Sequence, residues 1–304
     1  MKAKCLKFNE FGNPQEVLKV EYKDIQPPKE NEVLVRMVAR PINPSDLIPI
    51  RGAYSHRISL PNIPGYEGVG IVENVGSLLS QNLIGKRVLP LRGEGTWQEF
   101  VKTSAEFTVA IPDSIDDFTA AQMYINPITA LVICTQELGL RPNDILLVNA
   151  CGSSIGHIFA QLSKVLGFRL IAITRNDEYS KDLIRLGASY VINTSIDPLR
   201  ETVMDLSGGF GADAAIDSIG GSVGNDLAFN EAKVNAKLFH LRHWNKRVSA
   251  DVWQETFNHL ITLVNGKKLR LMRPKSYHSL SEIQEAVRIV ELSRGNQGKV
   301  ILTN

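Results

Sequence analysis

A short loop rich in small residues, Asn149-Ala-Cys-Gly-Ser-Ser-Ile-Gly156, is the clearest stretch of the sequence that could do chemistry. Small residues let backbone N–H groups approach a phosphate, and the helix predicted to follow favours an anion at its N-terminus. Only Gly156 matches the glycine pattern of a dinucleotide-binding loop, because Cys151 and Ser153 stand at the first two glycine positions. The loop predicts a phosphate site, with tight packing as the alternative, formed by Gly152, Ser153, Ser154, Ile155 and Gly156.

Arg175 ends the next predicted strand, about 20 residues beyond this loop. An acidic residue at this place would bind the ribose 2′-hydroxyl of NAD and would repel a 2′-phosphate. An arginine can pair with that phosphate through two hydrogen bonds. The sequence therefore favours NADPH over NADH, the alternative being that Arg175 is only a solvated residue at a strand end.

The elements around these residues follow two patterns. Up to about residue 120, short apolar runs alternate with Gly, Pro and Asp, which predicts a β-rich domain. Further along, helices alternate with strands that are apolar along their centres, which predicts a parallel sheet covered on both faces. The predicted strands are 144–149, 170–174, 190–192 and 212–217, and the helix predicted over 118–138 is interrupted near Asn126-Pro127.

The composition argues against several classes of protein. A chain of 304 residues predicts about two domains, and a scattered net charge of +2 does not support binding to nucleic acid. Three widely spaced cysteines (Cys5, Cys134 and Cys151) do not favour a disulfide framework or a structural zinc site. Without an apolar run of about 18 residues or a leader pattern, we expect a soluble cytoplasmic protein that does not enter a membrane.

Short stretches from end to end resemble the medium-chain dehydrogenase/reductase superfamily, and most of all its quinone reductases and trans-2-enoyl thioester reductases. They include Asn43–Asp46, Gly52–Tyr54, Pro64–Gly68, Gly95–Trp97, Asn126–Pro127, Phe239–Leu241, Trp244 and Gly298–Lys299. The resemblance implies an α/β fold in two domains. A GroES-like β-rich domain would span 1–120, completed by 268–304, and a doubly wound Rossmann domain that binds NADPH would span 121–267.

The resemblance also implies roles for single residues. Tyr54 would lie beside the nicotinamide and donate a hydrogen bond to the acceptor's carbonyl oxygen as negative charge develops there. Its alternative is a half-buried loop tyrosine. The other implied cofactor contacts are Asn126 with Asn43 nearby, Phe239, His240 and Leu241 beside the nicotinamide, and Lys299 at the phosphates.

Catalytic zinc is not expected. Zinc-dependent members of the superfamily have a cysteine in the first loop and a Gly-His-Glu motif, whereas this chain has Asn43-Pro-Ser-Asp46 and Gly65-Tyr66-Glu67. Since a catalytic zinc needs three protein ligands of this kind, the sequence favours reduction of a conjugated double bond, where the enolate needs only hydrogen-bond donors.

The chain departs from the family pattern after Asp217-Ser-Ile-Gly-Gly221. About two dozen residues of a βαβ unit are missing before a strand expected ahead of Trp244. Either a segment has been left out of the sequence, or the deletion is real and puts catalytic competence in doubt. The stretch Lys237–Leu241 is a candidate sheet edge for a homodimer.

Three functions stay open at this point. The first is an NADPH-dependent reductase of 2-enoyl thioesters or enones, and the second is an NADPH:quinone oxidoreductase. A basic groove for a phosphopantetheine would favour the first, and candidates for it are Arg51, Arg57, Arg242, His243 and Lys246. The third is a non-enzymatic NADPH-binding protein, for which an intact Tyr54 would be unnecessary.

Overall fold

A computed structural model of the protein describes residues 2–218, 239–293 and 298–304. The strands are β1 (Lys2–Lys7), β2 (Lys19–Asp24), β3 (Glu32–Pro41), β4 (Val69–Val75), β5 (Arg87–Pro90), β6 (Phe100–Ser104), β7 (Thr108–Ala110), β8 (Ile145–Val148), β9 (Arg169–Thr174), β10 (Tyr190–Asn193), β11 (Ala214–Ile216), β12 (Pro274–Ser279) and β13 (Lys299–Thr303). The helices are α1 (Pro14–Val17), α2 (Pro44–Ile50), α3 (Asp117–Ala121), α4 (Ile125–Val132), α5 (Ser154–Leu166), α6 (Ser180–Leu186), α7 (Leu199–Leu206), α8 (Leu241–Arg247), α9 (Ala250–Asn265) and α10 (Ile283–Leu292).

The chain divides into two compact units. Unit 1 comprises Met1–Ile125, Ser249–Ile261 and Met272–Asn304, and unit 2 comprises Asn126–Val248 and Thr262–Leu271. This division differs from the expected one of 1–120 with 268–304 and 121–267, because Ser249–Ile261 falls in unit 1. No helix among the described residues is long and apolar enough to cross a membrane.

Unit 1 is the β-rich part. Its main sheet runs in the order β12-β13-β3-β4-β5-β7, with β6 also paired to β3, and β1 and β2 form a separate antiparallel pair. Strand β13 brings the end of the chain back against β3, where Ile301 lies opposite Pro41. This pairing places Lys299, at the start of β13, close to the loop that leaves β3.

Unit 2 contains a parallel sheet in the order β10-β9-β8-β11. Strand β8 is buried along its whole length, and its neighbours β9 and β11 lie on opposite sides of it. The strand order therefore reverses at β8, and ligands of such sheets bind at the carboxyl ends of the strands at this point. The mixed α/β fold with a β-rich domain and a parallel-sheet domain confirms the fold class predicted from the sequence.

The helix predicted over 118–138 is broken earlier than expected. Helix α3 ends at Ala121, α4 begins at Ile125, and a π-helical turn covers Ile133–Glu137. Pro127 does not break α4, because it lies in the first turn, where a helix needs no N–H donor. The interruption therefore falls on residues 122–124.

The start of α9 belongs to unit 1, although the sequence placed this stretch in the Rossmann domain. Trp253 packs edge-on against Phe107 at 5.4 Å between ring centroids, and Phe257 stacks on Tyr124 at 6.0 Å. These aromatic contacts hold the start of α9 in unit 1. Residues 219–238, which include most of the shortened stretch, Lys237 and Leu238, lie outside the described residues.

Candidate functional site

The loop after β8 has the local structure of an anion-binding turn. Ser153 precedes α5 with extended backbone, and its Oγ accepts a hydrogen bond from Gly156 N at 3.3 Å. Helix α5 has 13 residues, and the N–H groups of a helix's first turn have no carbonyl partner within the helix. The loop thus directs donors and the positive end of the helix dipole toward one place.

Gly156 is required for this geometry. A Cβ added there would lie 2.4 Å from the Cα of Cys151, so no larger residue lets α5 approach the loop so closely. Cys151 itself is buried, and desolvation raises the pKa of its thiol to about 12. The cysteine in this loop is therefore a packing residue held as a thiol.

Arg175 follows the last residue of β9 and is exposed to solvent. Its carbonyl oxygen accepts a hydrogen bond from the Ser195 hydroxyl, which fixes the backbone beside the strand end. Among the described residues its guanidinium forms no ion pair closer than 4.0 Å. The side chain is available to an anion bound at this end of the sheet.

Tyr179 and His157 also border this loop, and sequence reasoning missed both. A Cβ added to Gly152 would lie 2.6 Å from the Tyr179 ring, so the tyrosine lies directly against the loop. The rings of His157 and Tyr179 meet edge-on, with 6.1 Å between their centroids. Burial lowers the pKa of His157. No spacing along the chain signals this contact, because it joins the first turn of α5 to the segment after β9.

Residues 239–241 do not form the strand that the sequence led us to expect before Trp244. Phe239 and His240 are irregular, and α8 begins at Leu241, where His240 Nδ1 accepts from Arg242 N at 3.2 Å. Trp244 then donates its indole N–H to Gln136 Oε1 at 2.7 Å, which fastens α8 to the π-helical turn. The helix cap replaces the expected strand, so 239–241 do not provide the sheet edge proposed for a dimer. Asn126 lies in the first turn of α4, and its contact with the nicotinamide stays a prediction.

Tyr54 lies in the loop that leaves α2. It precedes a 3₁₀ turn over Ser55–Arg57 and is half-buried. The guanidinium carbon of Arg57 lies 3.7 Å from the centroid of its ring. Tyr54, the residue expected to donate a hydrogen bond to the acceptor, therefore lies at the start of a 3₁₀ turn and is contacted by Arg57 of the same turn.

A buried polar network of Asn43, Asp46, Glu67 and Lys299 lies at the start of α2. Lys299 Nζ donates to Asn43 Oδ1, and Asn43 Nδ2 donates to Glu67 Oε1 at 2.7 Å. Asp46 Oδ2 accepts from Asn43 N at 2.7 Å, and all four side chains are less than 8% exposed. The resemblance placed Lys299 at the cofactor's phosphates and Asn43 near the nicotinamide. In the structure both side chains are engaged inside unit 1.

Glu67 connects this network to the start of α4. Its Oε2 accepts from Tyr124 N at 3.1 Å and from Ile125 N at 2.8 Å, so the carboxylate caps that helix from a distant loop. Burial raises the pKa of Glu67, and Lys299 and the N–H donors oppose that effect. Burial lowers the pKa of Lys299, opposed by Glu67 and Asp46.

Asp46 is the less well paired of the two buried carboxyls of the network. Its Oδ1 has no hydrogen-bond partner among the described residues, whereas Glu67 accepts three N–H groups. Burial raises the pKa of Asp46 to about 7. Because Asp46 and Glu67 both interact with the Lys299 ammonium, one proton on this pair of carboxyls leaves the network without net charge, which lowers the cost of burying it.

We expect Asp46→Asn to change how stability depends on pH. Native Asp46 keeps its proton up to about pH 7, whereas the unfolded chain loses it near the ordinary value of 3.8, so wild-type stability falls as pH rises between these values. The variant lacks this titration. Urea unfolding at pH 5 and at pH 8 gives the unfolding free energy of both proteins. The value for the variant minus the value for wild type should rise by at least about 1 kcal/mol from pH 5 to pH 8. A difference independent of pH would contradict a protonated Asp46.

The loops around the network are held by tight packing. Gly65 has φ +97°, and a Cβ there would lie 2.3 Å from the Trp97 ring, so this position requires glycine. Arg40 is fully buried and donates to the carbonyls of Thr96 and Gln98 at 3.2 and 2.7 Å. Burial lowers the pKa of Arg40 to about 9, so it stays charged at neutral pH. These contacts fix the segments that contain Gly65 and Arg40 against the segment Thr96–Gln98.

Comparison with known proteins agrees with this architecture. A family model described as the alcohol dehydrogenase GroES-like domain matches residues 29–113, and one described as zinc-binding dehydrogenase matches residues 154–237. A mitochondrial enoyl-(acyl-carrier-protein) reductase from Xenopus tropicalis is 36% identical over 195 residues, covering 62% of this chain and 56% of that protein. The rat enzyme of the same name is 33% identical, with 52% of it covered. The chain thus spans about half the length of these curated relatives.

Solved structures extend the match to the whole chain. Quinone oxidoreductase from Escherichia coli, complexed with NADPH, has the same fold, with a TM-score of 0.82 at 24% identity over 99% of this chain and 100% of its own. A presumed NADPH:quinone reductase from Bacillus thuringiensis is 61% identical over 100% of this chain and 99% of its own, with a TM-score of 0.98. The chain belongs to the medium-chain dehydrogenase/reductase superfamily. The match of this member to quinone and enoyl reductases confirms the resemblance found in the sequence.

A zinc ion does not fit the residues of this medium-chain reductase at the positions that hold zinc in metal-dependent members. Asn43 and Tyr66 replace two of the ligands, and the ammonium of Lys299 and the N–H donors converge on the oxygens of Asn43 and Glu67. A zinc centre needs lone-pair donors there. No group of three or more His, Cys, Asp or Glu suited to a metal occurs within the described parts of the chain. Asn43, Glu67 and Lys299 form a buried polar network and do not form a metal centre.

Proposed function

We propose that the protein is an NADPH-dependent, zinc-independent reductase that transfers hydride to an activated carbon–carbon double bond of a 2-enoyl thioester or enone. The observation that carries the proposal is the loop between β8 and α5 with Arg175 at the end of β9. The loop supplies close backbone donors for a pyrophosphate, and Arg175 supplies a cation for a 2′-phosphate. The whole-length relative from Bacillus thuringiensis, named for an NADPH:quinone reductase, supports the choice of NADPH as the cofactor.

The residues of the loop would hold the cofactor's pyrophosphate. Gly152 and Gly156 leave room for it, and the first turn of α5 donates to it. Asn126, Phe239, His240 and Leu241 are proposed for the nicotinamide side, as the resemblance implies. Bound NADPH would supply the hydride.

Arg175 determines the choice between the two nicotinamide cofactors. We expect Arg175→Ser to weaken NADPH binding about 10- to 100-fold, the scale of losing charge-assisted hydrogen bonds, and to leave NADH binding nearly unchanged. The matched control is Arg185→Ser, because Arg185 is an exposed arginine of unit 2 that pairs with Asp182. Both dissociation constants are measured by titrating the cofactor's fluorescence. Equal loss for NADPH and NADH would contradict the role.

Tyr54 acts on the acceptor. When hydride adds to the β-carbon, the electron pair of the double bond moves toward the carbonyl oxygen, and the α-carbon then takes up a proton. The phenol of Tyr54 donates a hydrogen bond to that oxygen, where the negative charge develops. Conjugate reduction of this kind needs a hydrogen-bond donor and no metal. This agrees with the buried polar network around Glu67, whose residues do not suit zinc.

A quinone is the second candidate acceptor, favoured by the name of the Bacillus thuringiensis relative. NADPH consumption with a medium-chain trans-2-enoyl-CoA and with 1,4-naphthoquinone, measured in parallel, separates the two. Enoyl turnover supports the proposal, and quinone turnover alone moves the assignment to quinone reductase. NADPH binding without turnover of either acceptor would favour the third interpretation, a binding protein.

Assembly and location complete the proposal. We propose a cytoplasmic homodimer that acts on a small molecule and uses neither nucleic acid nor a membrane as a partner. Light scattering at several concentrations tests the dimer, and a constant monomer mass would contradict it.

A further inference from the structure

The guanidinium of Arg57 lies over the ring of Tyr54, the residue proposed to donate a hydrogen bond to the acceptor. The guanidinium carbon is 3.7 Å from the centroid of the Tyr54 ring, within the range of a cation–π contact. Tyr54 is half-buried and Arg57 is exposed, so the guanidinium covers the ring on its solvent side. A planar guanidinium stacks on a ring face in a way that an ammonium cannot.

The backbone builds this stack locally. Arg57 N donates to Tyr54 O at 3.0 Å across the 3₁₀ turn, and side chains three residues apart in such a turn lie one above the other. Gly52, with φ +89°, reverses the chain just before the turn. The backbone of the turn therefore places the two side chains one above the other, and the guanidinium of Arg57 reaches back over the Tyr54 ring.

The charge of Arg57 has no competing partner within the described ranges. The neighbouring Arg51 is paired with Glu291, whereas Arg57 forms no ion pair with any described carboxylate. Its cation is available to the tyrosine ring and to the negative charge that develops at the oxygen Tyr54 contacts.

We infer that Arg57 is a positioning residue that acts through Tyr54. It holds the phenol ring in one orientation, so that the hydroxyl is already aimed when charge develops on the acceptor. The inference rests on the proposed function, because it needs Tyr54 to act in turnover. Loss of the stack should lower kcat and leave KM nearly unchanged, since binding of the acceptor does not require an ordered phenol.

The experiment compares Arg57→Gln, Arg57→Lys and Tyr54→Phe, each alone, and Arg57→Gln combined with Tyr54→Phe. Turnover is measured with NADPH and whichever of enoyl-CoA or naphthoquinone the wild type reduces. The matched control is Arg92→Gln, because the Arg92 guanidinium carbon lies 3.6 Å over the centroid of Phe107, a ring without a hydroxyl. Thermal melting of each variant reports whether it folds.

We expect Arg57→Gln to lower kcat about tenfold with KM within about threefold, and Arg57→Lys to restore part of the loss. In the Tyr54→Phe background, Arg57→Gln should have no further effect. An equal loss in both backgrounds, or the same loss in Arg92→Gln, would overturn the inference and leave the proposed function standing. Wild-type turnover in Tyr54→Phe, or no turnover of either acceptor by the wild type, would overturn the proposed function and the inference with it. If Arg57→Gln fails to fold, Arg57→Lys decides, because a kcat equal to that of wild type would show that the planar stack is not needed.

Discussion

Replacing Tyr54 by phenylalanine is expected to lower turnover of the enoyl acceptor about 100- to 1000-fold, the scale of removing one donor to a developing oxyanion. The substitution removes one hydroxyl and leaves the ring that Arg57 covers, so packing of the 3₁₀ turn should persist. The loss should appear in kcat, because the hydrogen bond strengthens as negative charge reaches the carbonyl oxygen. Steady-state consumption of NADPH at several acceptor concentrations measures it.

Tyr22→Phe is the matched control for this variant. Tyr22 is 64% exposed on β2 of the same unit and should tolerate loss of its hydroxyl without a change in kcat. If Tyr54→Phe has the same turnover as Tyr22→Phe, the Tyr54 hydroxyl takes no part in the reaction. Enoyl reduction would then need another donor.

Replacing Lys299 by methionine is expected to destabilise the protein by about 3–5 kcal/mol, the cost of leaving a buried charge without its partner. Methionine fills most of the space of the lysine stem, so the loss reports the ammonium. Without it, Asn43 Oδ1 loses its donor and the carboxylate of Glu67 loses its nearby cation. Urea unfolding at neutral pH measures the change in unfolding free energy.

Two further variants make this result interpretable. Lys7→Met removes a partly exposed lysine that pairs with Glu21 at 2.6 Å, and it should cost no more than about 1 kcal/mol. Adding Glu67→Gln to Lys299→Met should recover part of the loss, because the new amide carries no charge and the Asn43 amide can rotate to accept from it. A cost for Lys299→Met as small as that for Lys7→Met would show that the network contributes little.

The strand–loop–helix structure around Gly156 was the local feature best predicted from sequence, and its role in binding the cofactor stays a prediction. Its small residues, the following helix and Arg175 are local features, and β8, α5 and β9 place them as the pattern indicates. Gly156 shows why the pattern works, since its lack of a side chain allows the close approach of α5 to Cys151.

The buried network was not predictable, because its members meet only through the fold. Lys299 lies more than 250 positions from Asn43, and the pairing of β13 with β3 brings the two together. No local pattern shows that their side chains point inward, and the cofactor contacts that the resemblance implies for both residues stay a prediction. The break between α3 and α4 has the same origin, since the cap on Ile125 comes from Glu67.

Helix α8 was missed for a related reason. The expected strand before Trp244 was inferred from the family's usual length, and this chain departs from that length just before it. The actual element is determined by contacts at its two ends, the cap from His240 and the hydrogen bond from Trp244 to Gln136.

The most direct test of the central claim follows the hydride itself. The full-length protein is given NADPH carrying deuterium at the transferable position of C4, a trans-2-enoyl-CoA as acceptor, and ordinary water. The saturated product is then examined by NMR and mass spectrometry. The account predicts one deuterium at the β-carbon and a solvent proton at the α-carbon. A saturated product without deuterium, or no saturated product while NADPH is consumed with naphthoquinone, would contradict it.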